Sequence, residues 1–223
     1  MALTDEAILR IKEMIVSGQL GPGDRLPREA DLAETLGLSR NSLREAVKAL
    51  SLMNILDVRQ GDGTYVTSLN PDLLLDALTF VVDFHRDDSV LEFLRVRRIL
   101  EPAAAAMAAQ HVSEDELRAM QAVIDDSLAD ATPEEVLAFD IEFHRLVGTA
   151  SGNSVLASLI EGLSAPTNRA RVWRGRTQSG AQERTAREHQ AVLDAVAAGE
   201  PDLAHAAMVA HVAGVESWLR MVR

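Results

Sequence analysis

One stretch, Leu38-Ser-Arg-Asn-Ser-Leu-Arg-Glu-Ala-Val-Lys-Ala-Leu50, narrows what this chain can fold into more than any other. Ser39 is a favourable helix N-cap, and Leu38 and Leu43 stand where a hydrophobic staple would fix the entry of the chain. Leu43, Ala46, Val47 and Leu50 recur at the helical period and make an inward face. Arg40, Asn41, Ser42 and Arg44 are then left around the first turn, facing out. Guanidinium forks, an amide and hydroxyls at a helix N-terminus suit base edges and phosphate oxygens. A capped surface helix satisfies the same local pattern, so the flanking sequence has to separate the two readings.

The flanks favour nucleic acid. Thr4 is placed to cap a first helix with Ile8, Ile11, Ile15 and Val16 at helical spacing, ended by Gly18 and Gly21-Pro22-Gly23-Asp24. Leu26-Pro27 leads into a second helix, roughly Arg28 to Leu36, with Leu32, Ala33 and Leu36 inward. Gly37 is a natural left-handed C-cap, and only Leu38 separates it from Ser39. Two short helices across a tight glycine turn predict a helix-turn-helix whose second member is the opening stretch. Beyond it, Ile55-Leu-Asp-Val-Arg-Gln and Thr64-Tyr-Val-Thr flank Gly61-Asp-Gly63, two β-prone runs that predict a hairpin, the wing of a winged helix.

Read together, Gly18 through Ala46 and Arg59 through Val66 resemble the DNA-binding domain of GntR-family bacterial transcription regulators, with helices, turn and wing in register. The resemblance implies that Ser39, Arg40, Asn41, Ser42 and Arg44 contact DNA and that Gly61 and Gly63 carry the wing into the minor groove. Many relatives have an arginine just after the Leu-Pro-x-Glu segment, where this chain has Ala30. Its own arginine, Arg28, lies two residues earlier and is the candidate replacement.

A net charge of −12 at first contradicts a nucleic-acid partner. The charge is unevenly spread, however. Residues 1–68 hold 8 basic and 10 acidic side chains, whereas the remainder holds 14 and 24. The acidity belongs to the second part of the chain and excludes only a nonspecific polyanion binder. The absence of cysteine removes disulfides and thiolate metal sites. With no basic, apolar leader and no apolar run of membrane-spanning length, a cytoplasmic protein is expected.

The expected division is a winged helix-turn-helix over 1–68, a linker over 69–73 and an all-α effector and dimerisation domain over 74–223. The fold class is mainly α. About seven helices fit the second part, roughly 72–86, 89–110, 113–130, 133–150, 154–174, 183–198 and 201–221. Ser113 with Glu116, and Thr132-Pro133 with Glu135, mark two starts as capping boxes. The helix number resembles the longer, FadR-like variety of effector domain in the same family.

Several polar residues fall on faces that should be buried. In 133–150, Asp140 lies amid Val136, Phe139, Phe143 and Val147, with His144 one turn on. His189 shares a face with Val192, Leu193 and Val196, and His211 falls in the stripe of Ala207, Met208 and Val215. Taken singly, each histidine fits a satisfied core residue. Taken together, three imidazoles and a carboxylate suit a divalent metal, Zn first, with Ni, Mn or Fe as alternatives. The segments Asp140-x-x-x-His144, Glu188-His189 and Ala207-Met-Val-Ala-His211 also resemble the FCD ligand-binding domain, which implies that Asp140, His144, His189 and His211 are the ligands. Arg97, one turn before Glu101, matches the first long helix of that domain and is a candidate effector contact. In the cluster Arg169, Arg171, Arg174 and Arg176, Arg171 is the pocket candidate and the rest are expected to be solvated.

The function expected is a ligand-responsive repressor, a homodimer on a palindromic double-stranded operator, with a small carboxylate or sugar acid bound at the metal. The competing readings are a metal-sensing regulator and a metal-dependent hydrolase.

Overall fold

Three amphipathic helices and a hairpin close the first core. In the computed structural model, which describes residues 3–69, 90–129 and 131–222, α1 spans Leu3–Val16, α2 Glu29–Leu36 and α3 Arg40–Leu52. α1 buries Ala7, Ile11 and Met14, keeps Ile8 and Ile15 at the margin and leaves Val16 exposed. Its inward stripe, Ala7-Ile11-Met14, is therefore rotated from the one expected, and α1 packs against α3. Thr4 falls inside α1 rather than at its cap.

Gly37 ends α2 at φ 65°, and the Leu38 N–H returns to the Ala33 carbonyl at 2.9 Å. Only a residue without Cβ takes this left-handed position at no steric cost. Gly37→Ala is expected to lower the stability of this unit by about 1 kcal/mol, with Gly37→Asn losing less. An unchanged urea midpoint for the alanine variant would contradict the argument. Ser39 then caps α3, accepting from the Ser42 N–H at 3.0 Å.

Strands β1 (Leu56–Arg59) and β2 (Gly63–Val66) pair antiparallel, Leu56 opposite Val66 and Arg59 opposite Gly63. Leu56 and Val66 are buried in the core with Ile11, Leu32, Leu43 and Leu50. The loop before α2 runs along the hairpin, with Leu26 N donating to Thr64 O at 2.8 Å and Val66 N to Asp24 O at 2.9 Å.

A second unit closes on its own core. Its described regular elements are helical: α4 (Val90–His111), α5 (Glu114–Ser127), α6 (Pro133–Ala150), α7 (Ser154–Ser164), a 3-10 turn (Ala165–Thr167), α8 (Asn168–Thr177), α9 (Ala181–Ala197) and α10 (Pro201–Met221). The expected helix over 72–86, with His85, and most of the expected linker lie outside the described residues. Both capping boxes form, Ser113 with Glu116 and Thr132 with Glu135. Alanines carry much of the packing. Ala105, Ala108 and Ala204 are fully buried beside Met120, Phe143, Val192 and Met208.

One expected helix is broken. The segment 154–174 divides at the 3-10 turn containing Pro166, whose missing N–H cannot continue the helical ladder. Thr167, at that turn, is fully buried and donates to the Ser164 carbonyl at 2.8 Å. Among the described residues, no helix is long and apolar enough to cross a membrane.

Candidate functional site

α6 turns Asp140, Phe143, His144 and Val147 onto one face, and all four are buried. α9 brings His189 on the face of Val192, Leu193 and Val196, and α10 brings His211 beside Met208 and Val212. Core formation by these apolar neighbours draws the four polar residues together. One ligand atom from each of Asp140, His144, His189 and His211 lies within 4.8 Å of the other three. His189 Nε2 is 3.1 Å from Asp140 Oδ1, and His144 Nε2 is 3.2 Å from His211 Nε2. The His189 ring is held flat against Phe143, with centroids 4.0 Å apart.

Behind the rings stand carboxylates. Glu188 Oε2 lies 3.0 Å from His211 Nδ1, and Glu101 Oε2 lies 2.8 Å from His144 Nδ1. Glu188 keeps the proton on the rear nitrogen of His211, so that its Nε2 lone pair points inward, and the Glu101 carboxylate presents the same kind of neighbour to the rear nitrogen of His144. Burial, then the neighbouring imidazoles, holds the pKa of His189 and of His211 well below the ordinary histidine value, leaving neutral rings. Burial would raise the Glu101 pKa, but the Arg97 guanidinium and then the adjoining His144 ring bring it well below the usual carboxylate range. Lone pairs facing one another at 3.2 Å repel unless a positive centre lies between them. A shared proton would serve one such contact, and His189 Nε2 would still be buried with no hydrogen-bond partner. Three nitrogens and one oxygen converging in this way fit a divalent metal ion.

The cluster forms part of a partly open cavity with about 730 Å³ of free space, its mouth included. Arg97, Arg171 and Arg174 line it as well. Arg97 donates to Glu101 Oε1 at 2.5 Å and to Thr167 Oγ1 at 3.0 Å, and both Arg97 and Glu101 are almost wholly buried. Arg171 forms an ion pair with Asp140 Oδ2. The two arginines expected to touch an effector thus each hold a carboxylate of the protein.

Three features escape a reading of the sequence. Glu101 and Glu188 stand in quoted motifs, yet their contacts to His144 and His211 cross between helices. Arg174, expected in solvent, is 4 % exposed. Its sequence signal was the i, i+3 spacing to Arg171, which puts both on one face of α8.

At the start of α3, Arg40 and Asn41 are exposed, and neither side chain bonds to a described residue. Arg28, at the N-cap of α2, is also exposed. Arg44 is exposed and pairs with Glu29 at 3.2 Å. Ser42 departs from the outward position expected for it. It is buried, with its hydroxyl 2.8 Å from that of Ser39, because the third residue of the helix turns toward the cap. Ser39 is exposed, but its oxygen is engaged in that cap. In the wing, Gly61 takes φ 80°, and a Cβ on Gly63 would stand 2.5 Å from Arg25 Nε. Arg25 and Arg59 were not singled out from the sequence. Arg59 covers the Tyr65 ring at 4.2 Å, and Arg25 ion-pairs with Asp62 at 3.8 Å, a contact spanning 37 residues of chain.

Comparison with known proteins adds an independent line. Residues 3–66 match the family described as bacterial regulatory proteins, gntR family, and residues 92–214 match the FCD domain. The chain is 33% identical to the HTH-type transcriptional regulator LutR of Bacillus subtilis over 92% of its own length and 96% of that protein. It is 28% identical to the galactonate operon transcriptional repressor of Escherichia coli over 94% and 93%. Among solved structures, a Streptococcus agalactiae GntR protein superposes with a TM-score of 0.75 at 27% identity, covering 96% of this chain and 99% of that one.

Proposed function

Because the chain belongs to the GntR family and joins its winged helix-turn-helix to an FCD domain, we propose that it is a repressor released from its operator by a small organic acid bound at a metal centre. It is a transcription regulator and not an enzyme, as its relatives are, so the hydrolase reading falls. The observation that carries the proposal is the buried convergence of Asp140, His144, His189 and His211 in the wall of an open cavity.

Charge supports an acid. Arg97 offsets Glu101, Arg171 offsets Asp140, and Arg174 is a further buried cation on the same cavity. The Glu188 carboxylate opposes Arg174 in turn, so a divalent ion would leave the pocket with an excess of positive charge that an anion answers. The galactonate repressor is named for the operon of a polyhydroxy acid, which fits that chemistry. Asp140, His144, His189 and His211 would hold the metal, zinc first, with Ni, Mn or Fe as alternatives. When bound, it would supply a Lewis-acid docking point for the effector's oxygens. Glu188 holds the tautomer of His211, Glu101 stands behind His144, and Phe143 keeps His189 in plane.

On the DNA side, Arg40, Asn41 and Arg44 are proposed to read a major groove, with Arg28 on a phosphate and the Gly61–Gly63 wing tip in the minor groove. A palindromic operator calls for a homodimer, and exposed Val96 and Ile99 on α4 supply apolar surface for one. We place the DNA-binding module in 1–68 and the effector module in 74–223.

Operator gel shifts with and without EDTA, repeated with candidate acids, test the scheme. The expected result is that EDTA leaves the shift intact and abolishes its relief by the acid. A shift switched by zinc alone would make the ion the signal and refute the acid effector.

A further inference from the structure

The hairpin of β1 and β2 is anchored in the core at one end only. Leu56 and Val66 are buried there, but toward the other end Val58 is exposed, and the turn Gly61-Asp62-Gly63 has no apolar side chain. Two glycines give that turn conformational freedom, and a two-stranded hairpin is marginal by itself. The loop before α2 supplies the missing hold. Arg25 stands opposite Tyr65 in an antiparallel bridge, framed by the backbone bonds that tie Asp24 and Leu26 to β2. Tyr65 faces Asp57 on its other side, so Arg25, Tyr65 and Asp57 form one row across the sheet.

From that row the Arg25 guanidinium reaches the turn. Its Nη2 donates to the Asp62 carbonyl, its Nη1 is 3.8 Å from Asp62 Oδ1, and its Cζ is 5.9 Å from the centre of the Tyr65 ring. Asp62 Oδ2 accepts from the Tyr65 hydroxyl at 2.8 Å. The seat exists because residue 63 is glycine. A Cβ there would stand 2.5 Å from Arg25 Nε and 3.0 Å from Nη2.

We propose that Arg25 is a positioning residue for DNA binding, which clasps the wing's turn and fixes the pose in which Gly61 to Gly63 enter the minor groove. The inference rests on the minor-groove reading of the wing above and adds the residue that prepares it. Arg25 and Asp62 are each about half exposed, so their pairing adds little to folding. Its effect falls on binding instead. A turn already held needs no ordering when DNA arrives, whereas an unclasped turn loses that entropy from the affinity.

Full-length wild type and Arg25→Ala, compared on a duplex that the wild type selects from a randomised pool, test the clasp. Hydroxyl radicals cut at sugars reached through the minor groove, and dimethyl sulfate methylates guanine N7 in the major groove. Arg25→Ala is expected to lose minor-groove protection, to keep N7 protection and to bind about tenfold more weakly, with an unchanged urea midpoint. A wild-type footprint and affinity in that variant would overturn the proposal. So would loss of protection in both grooves with a lowered midpoint, which would make Arg25 a folding residue. Either result leaves the minor-groove reading standing. Arg25→Lys keeps the charge but loses the planar fork, so it is expected to behave as the alanine variant does, and it carries the same comparison should that variant not fold. Full recovery by lysine would make Arg25 a direct phosphate contact and overturn the clasp. If the wild type itself protects no minor-groove sugar, the wing reading fails and this proposal with it.

Discussion

His189→Ala is expected to purify without stoichiometric metal, to shift operator DNA at wild-type strength and to ignore the acid that releases the wild type. The substitution removes one of four converging donor atoms, the one whose ring Phe143 holds in place. Removing an outer partner of a ligand costs about 10- to 100-fold in metal affinity, and that is the scale expected of Glu101→Gln. Removing a ligand itself should cost more. Elemental analysis together with chelator competition reads both variants on one scale. Stoichiometric zinc in His189→Ala would take this residue out of the site, and a larger loss in Glu101→Gln than in His189→Ala would invert the proposed shells. DNA binding should survive because the substitution lies in the core of the second unit, whereas the recognition helix belongs to the first.

Arg40→Ala is expected to weaken operator binding by about 10- to 100-fold, the worth of one good bidentate base contact. Arg44→Ala should lose a similar amount, and the double variant should give no shift at working concentrations. Arg40 has no described partner to lose, and Arg44 gives up only an exposed pair with Glu29, of a kind worth about 0–1 kcal/mol. Helicity and dimerisation should therefore be unchanged. Anisotropy titrations at two salt concentrations separate the contributions. Loss of a base contact lowers affinity without changing the salt slope, while loss of a phosphate contact flattens it by about one unit. A full-strength shift by the double variant would end the assignment of α3 as the reading helix.

Much of the first unit was legible because its determinants are local. A staple, a serine cap, a glycine with φ 65° and two β-prone runs about Gly61-Asp-Gly63 act within a few residues of one another. Ser42 shows the boundary of that legibility. The cap was predicted, but the same cap turns its third residue inward, so the Ser42 hydroxyl faces Ser39 rather than solvent. In the second unit, the faces bearing Asp140, His144, His189 and His211 could be read from helical spacing alone. The break at Ala165–Thr167 could not, since a single proline within an apolar run does not announce how the helix resumes.

What the amino-acid sequence determined by itself is whatever repeats along one element: where helices start and stop, which face of each is apolar, and which polar residues interrupt that face. The tertiary structure alone decided which of these interruptions meet and what stands behind them. Glu101 serves His144 from another helix, and Glu188 serves His211 likewise. Arg97 and Arg171 are taken up by the protein's own carboxylates, while Arg174 is buried beside the cavity with the Glu188 carboxylate as an opposing charge. Helical periodicity assigns a side chain to a face. The partner on that face comes from helices distant in sequence, and the spacing within α8 puts Arg171 and Arg174 on one face without saying whether that face meets solvent or a pocket.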